Sequence, residues 1–422
     1  MWNPILADEL EAEARASIYD IANELLAKDT SSLLAFEMCE HALLYAYLGL
    51  DNSREAWHDK SLHCLNQAIN TLFVTPTFRN DLYGGLAGIG WMMQHVLSIL
   101  STVGGTIDEQ GSEDDDFLFE VDERILSAGE TINRNYDLIS GHVGFGIYWL
   151  ERLPRPKAFI GVRQTLIALE HLSTNTPLGI AWLTPPSLVP PTQVAVAPSG
   201  YYNLGVAHGI PGVIGFLAQA ACLDLYEDIS SKASDLLAGA MRWLIAQEKS
   251  PNSISRYGHW MIPGQDSGNT RLSWCYGDLG IAAVLQFVAH CAKNLSWAVE
   301  AKRLTDRCVL RDLDPSVLDA SLCHGALGNA HIYNRAYHAY HDDVYRLAAL
   351  KWTQKSLSLR KSGVGIAGHY AWRENSFPHE CLDTSFLTGA VGVGLALLAA
   401  IAPIEPNWDR MMLLSGAQPL SG

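Results

Sequence analysis

The chain alternates between apolar stretches with almost no polar face and amphipathic stretches of similar length. The apolar type includes IGWMMQHVLSIL (89–100) and VGLALLAAIA (393–402), which are rich in Ala, Leu and Gly. The amphipathic type includes AKRLTDRCVLRDL (301–313) and DDVYRLAALKWTQKSLSLR (342–360). Helices that are apolar all round are buried on most sides, whereas amphipathic helices face solvent on one side. The alternation therefore predicts an all-α fold, an α/α toroid with an inner and an outer layer of helices.

A short Gly-x-x-Gly motif precedes most of the apolar stretches. Copies recur at intervals of roughly 50 to 70 residues, long enough for two helices and their loops. A glycine inside a helix costs about 1 kcal/mol relative to alanine. The glycines are therefore predicted at the turn entering each inner helix, where positive φ and close backbone approach favour glycine. The six copies begin at Gly85, Gly141, Gly209, Gly277, Gly325 and Gly389.

Alignment of the copies on their first glycine places potential metal ligands in a common register. One place before that glycine (position −1) stand His208 in the third copy and His324 in the fifth, and two places before it (position −2) stand Cys275 and Cys323. If all inner helices begin at one end of the toroid, these side chains converge on one rim. Two thiolates and an imidazole suit a tetrahedral zinc ion that keeps one position open. Cys275, Cys323 and His324 are the predicted zinc ligands.

The same register places charged residues in equivalent positions of different copies. Asp81 and Asp137 both stand four places before the first glycine, and Arg79 and Arg271 both stand six places before it. Register alone does not choose between the members of each pair. The residues taken singly also allow other roles, because Asp137 is better explained as a cap of the helix that follows and His208 would serve equally as a core histidine that holds a turn.

Composition favours one large globular domain spanning residues 1–422. The chain is 48% hydrophobic and carries a formal net charge of −16, which disfavours nucleic acid as a partner. The N-terminus is acidic where a signal peptide would be basic, and no apolar run reaches the length of a membrane span. Eight cysteines are dispersed rather than clustered, which favours a reducing compartment. We therefore predict a cytoplasmic protein without a membrane span.

Two segments do not follow the helical pattern. Residues 101–120 contain the acidic sequence GGTIDEQGSEDDD, which predicts an exposed loop. Residues 153–200 are rich in prolines and β-branched residues, which break helices. We predict a small non-helical subdomain at 153–200, to which the 101–120 loop would be an optional addition.

The motifs together resemble those of the lanthionine synthetase C (LanC) cyclases, and the resemblance covers nearly the whole chain. The family fold implies a toroid of seven inner and seven outer helices with a small inserted domain. Only the six aligned Gly-x-x-Gly copies mark inner helices, so the seventh inner helix is expected from CEHALLYAYLGL (39–50). The resemblance is carried by YDLISGHVGFG (136–146), YNLGVAHGIPGVIGF (202–216), RLSWCYGDLG (271–280), LCHGALG (322–328) and SFLTGAVGVGLALL (385–398).

The resemblance implies a zinc-dependent enzyme of lantibiotic biosynthesis. A peptide cysteine would add to a dehydroalanine or dehydrobutyrine of the same peptide, giving lanthionine or methyllanthionine. His208 would transfer a proton, Asp137 would orient His208 or the substrate, and Arg271 would stand near the developing enolate. Trp274 and Tyr276 would shape the substrate pocket, although ordinary aromatic packing explains them equally well. The implied partners are a dehydrated precursor peptide, a dehydratase and an exporter, which would place the protein beside a membrane complex.

Two other functions are compatible with the sequence. A LanC-like protein that binds thiols such as glutathione without cyclising a peptide would share the zinc ligands. An α/α-toroid glycoside hydrolase would instead need two carboxylates about 5 to 9.5 Å apart. Stoichiometric zinc would exclude the hydrolase, and turnover of a dehydrated peptide containing cysteine would exclude a protein that only binds thiols.

Overall fold

The computed structural model describes residues 2–28, 33–52, 55–74, 79–104, 118–131, 135–223, 226–311, 313–373 and 382–416. Within these ranges seven apolar helices form a closed inner ring. Each contacts the next along the chain, and the last, α14, contacts the first, α2. The inner helices are α2 (Ala35–Asn52), α4 (Leu86–Gly104), α6 (His142–Glu151), α8 (Ile210–Ala221), α10 (Asp278–Cys291), α12 (Ala326–Tyr340) and α14 (Ala390–Ile401).

Seven further helices in the described ranges surround this ring and complete the α/α toroid. Each buries one face against the inner layer, as α11 does with Ala301, Leu304 and Cys308. Despite the apolar inner helices, no helix of the described residues combines the length and apolarity that crossing a bilayer requires. The outer helices are α1 (Asp8–Ala27), α3 (Glu55–Val74), α5 (Phe119–Glu130), α7 (Pro156–Leu172), α9 (Glu227–Ile245), α11 (Leu295–Val309) and α13 (Asp343–Ser358).

The seventh inner helix is α2, which contains residues 39–50 as predicted. It has no Gly-x-x-Gly motif before it in the sequence, and one of its side chains reaches the loop of the sixth copy. Glu40 of α2 is buried, and its Oε1 accepts the backbone N–H of Phe386 at 2.7 Å. Burial raises the pKa of Glu40 to about 8, so a proton neutralises this carboxyl group at neutral pH. The carboxyl group joins the first inner helix to the loop of the sixth copy.

The prediction of a non-helical segment at 153–200 is wrong over α7 (Pro156–Leu172), which is an outer helix. Pro156 stands in the first turn of α7, where a helix tolerates proline because the missing N–H has no partner there anyway. A proline therefore marked the start of a helix in this segment. The remainder of 153–200 consists of strands, turns and two short 3₁₀ helices, Pro186–Leu188 and Pro191–Gln193.

Four short antiparallel strands follow α7 and form one sheet in the order β1-β2-β3-β4. Strands β1 (Ser173–Thr176) and β2 (Gly179–Thr184) lie within the predicted subdomain. Strands β3 (Tyr201–Asn203) and β4 (Trp260–Met261) lie outside it, so the sheet draws on two separate parts of the chain. The division into one toroid with an inserted subdomain stays a prediction. Strand β3 leads directly into the loop that carries His208.

The predicted loop at 101–120 is helical at both ends. Residues 101–104 end α4 and residues 119–120 begin α5, whereas residues 105–117 lie outside the described residues.

Residues 403–416 form a C-terminal plug inside the inner ring. The plug contains a 3₁₀ helix, Asn407–Met412, in which Trp408 and Met411 are almost fully buried. Asp409 binds His331 of α12, and Arg410 binds Glu151 of α6 at 3.1 Å. The plug also reaches two of the Gly-x-x-Gly loops, since Met411 and Met412 accept hydrogen bonds from side chains there. It therefore forms the floor beneath the rim on which the candidate ligands lie.

Candidate metal centre

The Gly-x-x-Gly loops precede the N-termini of inner helices, and backbone hydrogen bonds between neighbouring loops place them together at one end of the ring. Positive φ, which the sequence predicted for these glycines, occurs at Gly277 (φ 100°) but not at Gly141, Gly209, Gly325 or Gly389. The backbone at those four glycines is extended, a conformation that any residue can adopt.

Close backbone approach, the other predicted reason for glycine, holds at both glycines of the motif. A Cβ at Gly328 would stand 1.9 Å from the carbonyl oxygen of Leu322, and one at Gly325 would stand 2.1 Å from the backbone nitrogen of Ser321. Any side chain would force the loop away from its helix. The two glycines therefore let each loop pack closely against the start of its helix, and this packing holds the loops that carry the candidate ligands in place.

Backbone hydrogen bonds between neighbouring loops hold the predicted register. The residue at position −2 of one loop donates its N–H to the carbonyl of position −2 in the next loop. Ala207 donates to Cys275 at 3.4 Å, Cys275 donates to Cys323 at 3.2 Å, and Cys323 donates to Leu387 at 2.8 Å. The two cysteines are therefore neighbours in one continuous chain of hydrogen bonds along the rim.

The structure brings together the three predicted metal ligands, Cys275, Cys323 and His324, which we call the Cys2His cluster. One ligand atom from each lies within 4.8 Å of the others, and no other group of three His, Cys, Asp or Glu residues in the described part of the chain does so. Ligands of a tetrahedral zinc ion lie about 3.3 to 3.8 Å apart, given its bond lengths to sulfur and nitrogen. The donor set and the separation both fit zinc after small side-chain movements.

The environment of the two thiols favours a thiolate. A hydrogen bond from Cys323, and a further one with His324, hold the pKa of Cys275 well below its ordinary value. Cys275 is buried, whereas Cys323 and His324 are partly exposed. The cluster is therefore closed toward the core and open toward the rim, which leaves a side from which another ligand can approach.

His208 lies on the same rim and is oriented by Asp137. Its Nδ1 is 2.6 Å from Oδ2 of Asp137, and 47% of its side-chain surface is exposed. Burial of the remaining surface opposes a charged imidazole, but the hydrogen bond and charge of Asp137 and the nearby Cys275 outweigh it. The pKa of His208 is therefore raised above its ordinary value. Because Nδ1 is engaged, Nε2 is the ring nitrogen available for proton transfer.

Asp137 and its register counterpart Asp81 have different partners. Oδ1 of Asp137 accepts the N–H of Ser140 at 2.8 Å within the loop, while Oδ2 faces His208. Helix α6 begins after Gly141 and receives no side-chain cap, so capping does not account for Asp137. Asp81 instead forms an ion pair with Arg79. Only Asp137 has the position needed to orient His208.

Arg271 and its counterpart Arg79 also differ. Arg79 is exposed and paired with Asp81. The hydrogen bond with Cys275 and burial raise the pKa of Cys323, and the half-buried Arg271 is close enough for its positive charge to oppose that rise, which places it beside the Cys2His cluster. A cation at this position can face a negative charge that develops on a bound substrate.

The two aromatic residues that flank Cys275 have different surroundings. Trp274 is fully buried, and its Nε1–H donates to the carbonyl of Met412 in the plug at 2.8 Å. This placement is typical of core packing, so the predicted contact of Trp274 with substrate is not supported. Tyr276 is partly exposed on the rim, and its hydroxyl accepts a hydrogen bond from Nδ2 of Asn203 at 3.0 Å. We retain Tyr276 as a candidate substrate contact.

Position −6 shows a pattern that the sequence comparison missed. In four loops an Asn or Asp at this position accepts the N–H of the residue two places later, which closes a tight turn. The fourth loop carries Arg271 there and forms no such turn. Comparing all six copies at this position would have revealed the pattern. The four acceptors are Asn135, Asn203, Asp319 and Asp383.

Comparison with known proteins agrees with the toroid and its rim. A sequence profile described as lanthionine synthetase C-like protein matches residues 41–413. The fold is similar to that of a solved structure titled nisin cyclase, with a TM-score of 0.71 at 18% identity over 95% of this chain and 97% of that one. A sugar epimerase from a ruminal bacterium, at 9% identity over 87% of this chain and 86% of that one, has a TM-score of 0.45 and is too distant to bear on function. No curated protein matches the sequence significantly.

The fold and the rim thus define an α/α toroid with a thiol and imidazole cluster at the N-terminal ends of its inner helices. Because the family profile spans most of the chain, the protein belongs to the lanthionine synthetase C-like family.

Proposed function

We propose that this protein is a zinc-dependent cyclase that forms lanthionine and methyllanthionine in a dehydrated precursor peptide. The observation that carries the proposal is the placement of the Cys2His cluster and the Asp137–His208 pair on one rim of a LanC-like toroid. The proposed ligands are Cys275, Cys323 and His324. Zinc held there would supply a substrate thiolate at neutral pH, because metal coordination removes the proton of a thiol.

The proposed reaction is an addition that leaves the mass of the peptide unchanged. The sulfur of a peptide cysteine bonds to the β-carbon of a dehydroalanine or dehydrobutyrine. The electron pair of the carbon–carbon double bond moves toward the adjacent carbonyl and forms an enolate. A proton must then add to the α-carbon. The protein therefore has to bind the thiol, stabilise the enolate and deliver one proton.

His208 is the proposed proton donor to the α-carbon. Its Nε2 is free because Asp137 engages Nδ1, and its raised pKa keeps more of the imidazole protonated near neutral pH. A positioned acid of this kind contributes about 10² to 10⁴ in rate. Arg271, beside the cluster, is the proposed cation that stabilises the enolate oxygen. Tyr276 is proposed to contact the peptide next to the bound thiol.

Two measurements on the purified protein test this proposal. Metal analysis should find about one zinc per chain, and replacing Cys275, Cys323 and His324 together should abolish it. A synthetic peptide with one cysteine and one dehydroalanine should lose its reactivity toward a thiol alkylating reagent without changing mass. Zinc retained by the triple variant would refute the assignment of the metal ligands. A peptide thiol that stays reactive would refute the cyclase activity.

The same peptide separates the alternative functions. A LanC-like protein that only binds thiols would hold zinc but leave the peptide thiol reactive, and it would retain glutathione instead. A glycoside hydrolase is disfavoured because Asp137 and Asp81, the carboxylates of the shared register, are engaged by His208 and Arg79. The dehydratase and exporter partners and the cytoplasmic location stay predictions.

A further inference from the structure

In two of the loops that form this turn, the side chain at position −6 also hydrogen-bonds the side chain at position −1 of the same loop. In the second loop, Nδ2 of Asn135 donates to Oγ of Ser140 at 2.9 Å. In the sixth loop, Oγ1 of Thr388 donates to Oδ2 of Asp383 at 2.7 Å. Both contacts join the start of a loop to the residue just before its first glycine. In these two loops the residue at position −6 thus has a second role beyond closing the turn, whereas Asn203 of the third loop donates to the hydroxyl of Tyr276 instead.

In the fifth loop these two positions are occupied by Asp319 and His324. Nε2 of His324 lies 3.7 Å from Oδ2 of Asp319, which is ion-pair range but too long for a hydrogen bond. His324 is one of the proposed metal ligands. Asp319 and His324 thus occupy the same two positions as the hydrogen-bonded pairs of the second and sixth loops, but here the residue at position −1 is a proposed metal ligand.

Asp319 is held rigidly, whereas His324 has room to move. The carboxylate is 1% exposed, and its Oδ1 accepts both the N–H and the hydroxyl of Ser321, at 3.0 and 2.8 Å. Its Oδ2 accepts the N–H of Trp372 at 2.9 Å. The His324 side chain is 20% exposed. A small rotation of the imidazole is thus the easier way to close the remaining gap.

The turn alone does not require a carboxylate at this position. Asn135 and Asn203 close the same turn through an amide oxygen. Burying a carboxylate is more costly than burying an amide unless the charge has a partner. An imidazole N–H whose ring binds a metal is such a partner, because the metal withdraws electron density from the ring.

We propose that Asp319 is a positioning residue for the metal centre: it accepts the Nε2–H of His324 and thereby leaves Nδ1 to bind zinc. The proposal rests on the proposed zinc site. Carboxylates behind metal-binding histidines fix the tautomer and ring orientation, and their loss typically costs 10- to 100-fold in metal affinity.

The test compares Asp319→Asn with Asp383→Asn, its matched control at position −6 of the sixth loop. Both changes keep an oxygen that can accept the turn N–H, but only Asp319 stands behind a proposed ligand. Zinc affinity is measured by competition with a chromophoric chelator, with circular dichroism as a check on folding. We expect Asp319→Asn to raise the Kd for zinc by about 10- to 100-fold. Asp383→Asn should stay within about 2-fold of the parent, since it has no ligand at position −1.

The outcomes separate this proposal from the proposed function. If the parent binds zinc and Asp319→Asn binds it equally well, the role of Asp319 is refuted while the cyclase proposal stands. If both variants weaken zinc binding equally, the role of Asp319 is also refuted, because a general disturbance of the turns would then explain the loss. A parent without stoichiometric zinc refutes both.

A second measurement requires no change at Asp319 and so remains informative if that variant does not fold. Histidine-selective ¹⁵N spectra of the zinc-loaded parent should contain an imidazole with a metal-bound Nδ1 and a hydrogen-bonded Nε2–H. That signal should disappear in His324→Cys, which identifies it. A His324 ring bound to zinc through Nε2 would overturn the proposal.

Discussion

Histidine–carboxylate pairs occur both on the rim and in the interior of the toroid, with nearly equal hydrogen-bond lengths and opposite consequences. His208 lies 2.6 Å from Asp137 on the rim, and His331 lies 2.7 Å from Asp409 against the plug. The side chain of His208 is 47% exposed, whereas that of His331 is 1% exposed. Exposure, rather than the hydrogen bond, distinguishes the two pairs.

The pKa values of the two histidines move in opposite directions. Burial dominates at His331 and, helped by the positive charge of Arg335, lowers its pKa below the ordinary value despite Asp409. At His208 the carboxylate outweighs the burial, and the pKa is raised. A histidine kept neutral in the interior serves structure, and one that titrates at the surface can serve proton transfer. The same pair of residue types thus has two uses in one protein.

The largest expected effect is on catalysis. His208→Ala should lower the cyclisation rate by about 10² to 10⁴ while zinc content and unfolding free energy stay close to the parent values. His331→Ala should instead lower the unfolding free energy, because it removes a buried hydrogen bond to Asp409 and leaves a cavity beside Trp408. Single-turnover cyclisation and chemical denaturation of both variants test the contrast. Equal activity of His208→Ala and the parent would remove His208 from the mechanism.

The next effect is on stability. Asp409→Asn leaves Arg335 buried with one of its two acidic partners neutralised, since Arg335 also pairs with Glu405. Breaking a buried ion pair costs about 3 to 5 kcal/mol. Asp137→Asn is the matched control on the rim and should cost less than about 1 kcal/mol, because His208 is half-exposed. Denaturation curves compare them, and a larger loss for Asp137→Asn would reverse the assignment of roles.

Acid should destabilise the protein through its buried histidines. Burial lowers the pKa of His369 from 6.5 to about 4, so below its unfolded pKa the unfolded chain binds more protons than the folded one. Stability is therefore lost as the pH falls, by about 2 kcal/mol for this group between about pH 7 and pH 5. His369→Gln should flatten the slope of unfolding free energy against pH. An unchanged slope would contradict the prediction.

The smallest expected effect is a shift in the pH dependence of the cyclisation rate. Because Asp137 raises the pKa of His208, Asp137→Asn should lower it. If His208 donates its proton to the α-carbon, activity falls as the pH rises through that pKa. The alkaline limb of the rate profile should therefore move to lower pH in Asp137→Asn. A limb that stays in place would indicate that another group donates the proton.

The Cys2His cluster could be predicted from sequence because residues at equivalent positions of neighbouring repeats lie close together in the fold. Cys275 and Cys323 are 48 residues apart, yet equivalent places in neighbouring repeats make them hydrogen-bonded neighbours. The same logic placed His208 on the rim. Register alone did not choose between Asp137 and Asp81; the family resemblance implied Asp137, and the fold shows that it is the carboxylate that faces His208.

Other features were not predicted from the sequence, and most of them had no comparable signal there. The helix α7 was missed because the prolines near its start were interpreted as breakers rather than as first-turn residues. Trp274 was assigned to the pocket because it adjoins a ligand in sequence, yet its side chain turns inward to the plug. The plug itself belongs to no repeat, so register could not place it. Asp319 did have a signal, the Asn and Asp residues shared at position −6.

Closure of the inner ring has a consequence for how the protein is made. Trp2 donates its indole N–H to the carbonyl of Ala399, a contact between residues 397 positions apart, and α2 packs against α14. Ribosomes add about 5 to 20 residues per second, so the first helices wait roughly 20 to 80 s for their last neighbour. During that interval the apolar flank of α2 has no native partner on one side. A nascent chain of this protein is therefore expected to depend on chaperones until its final helix emerges.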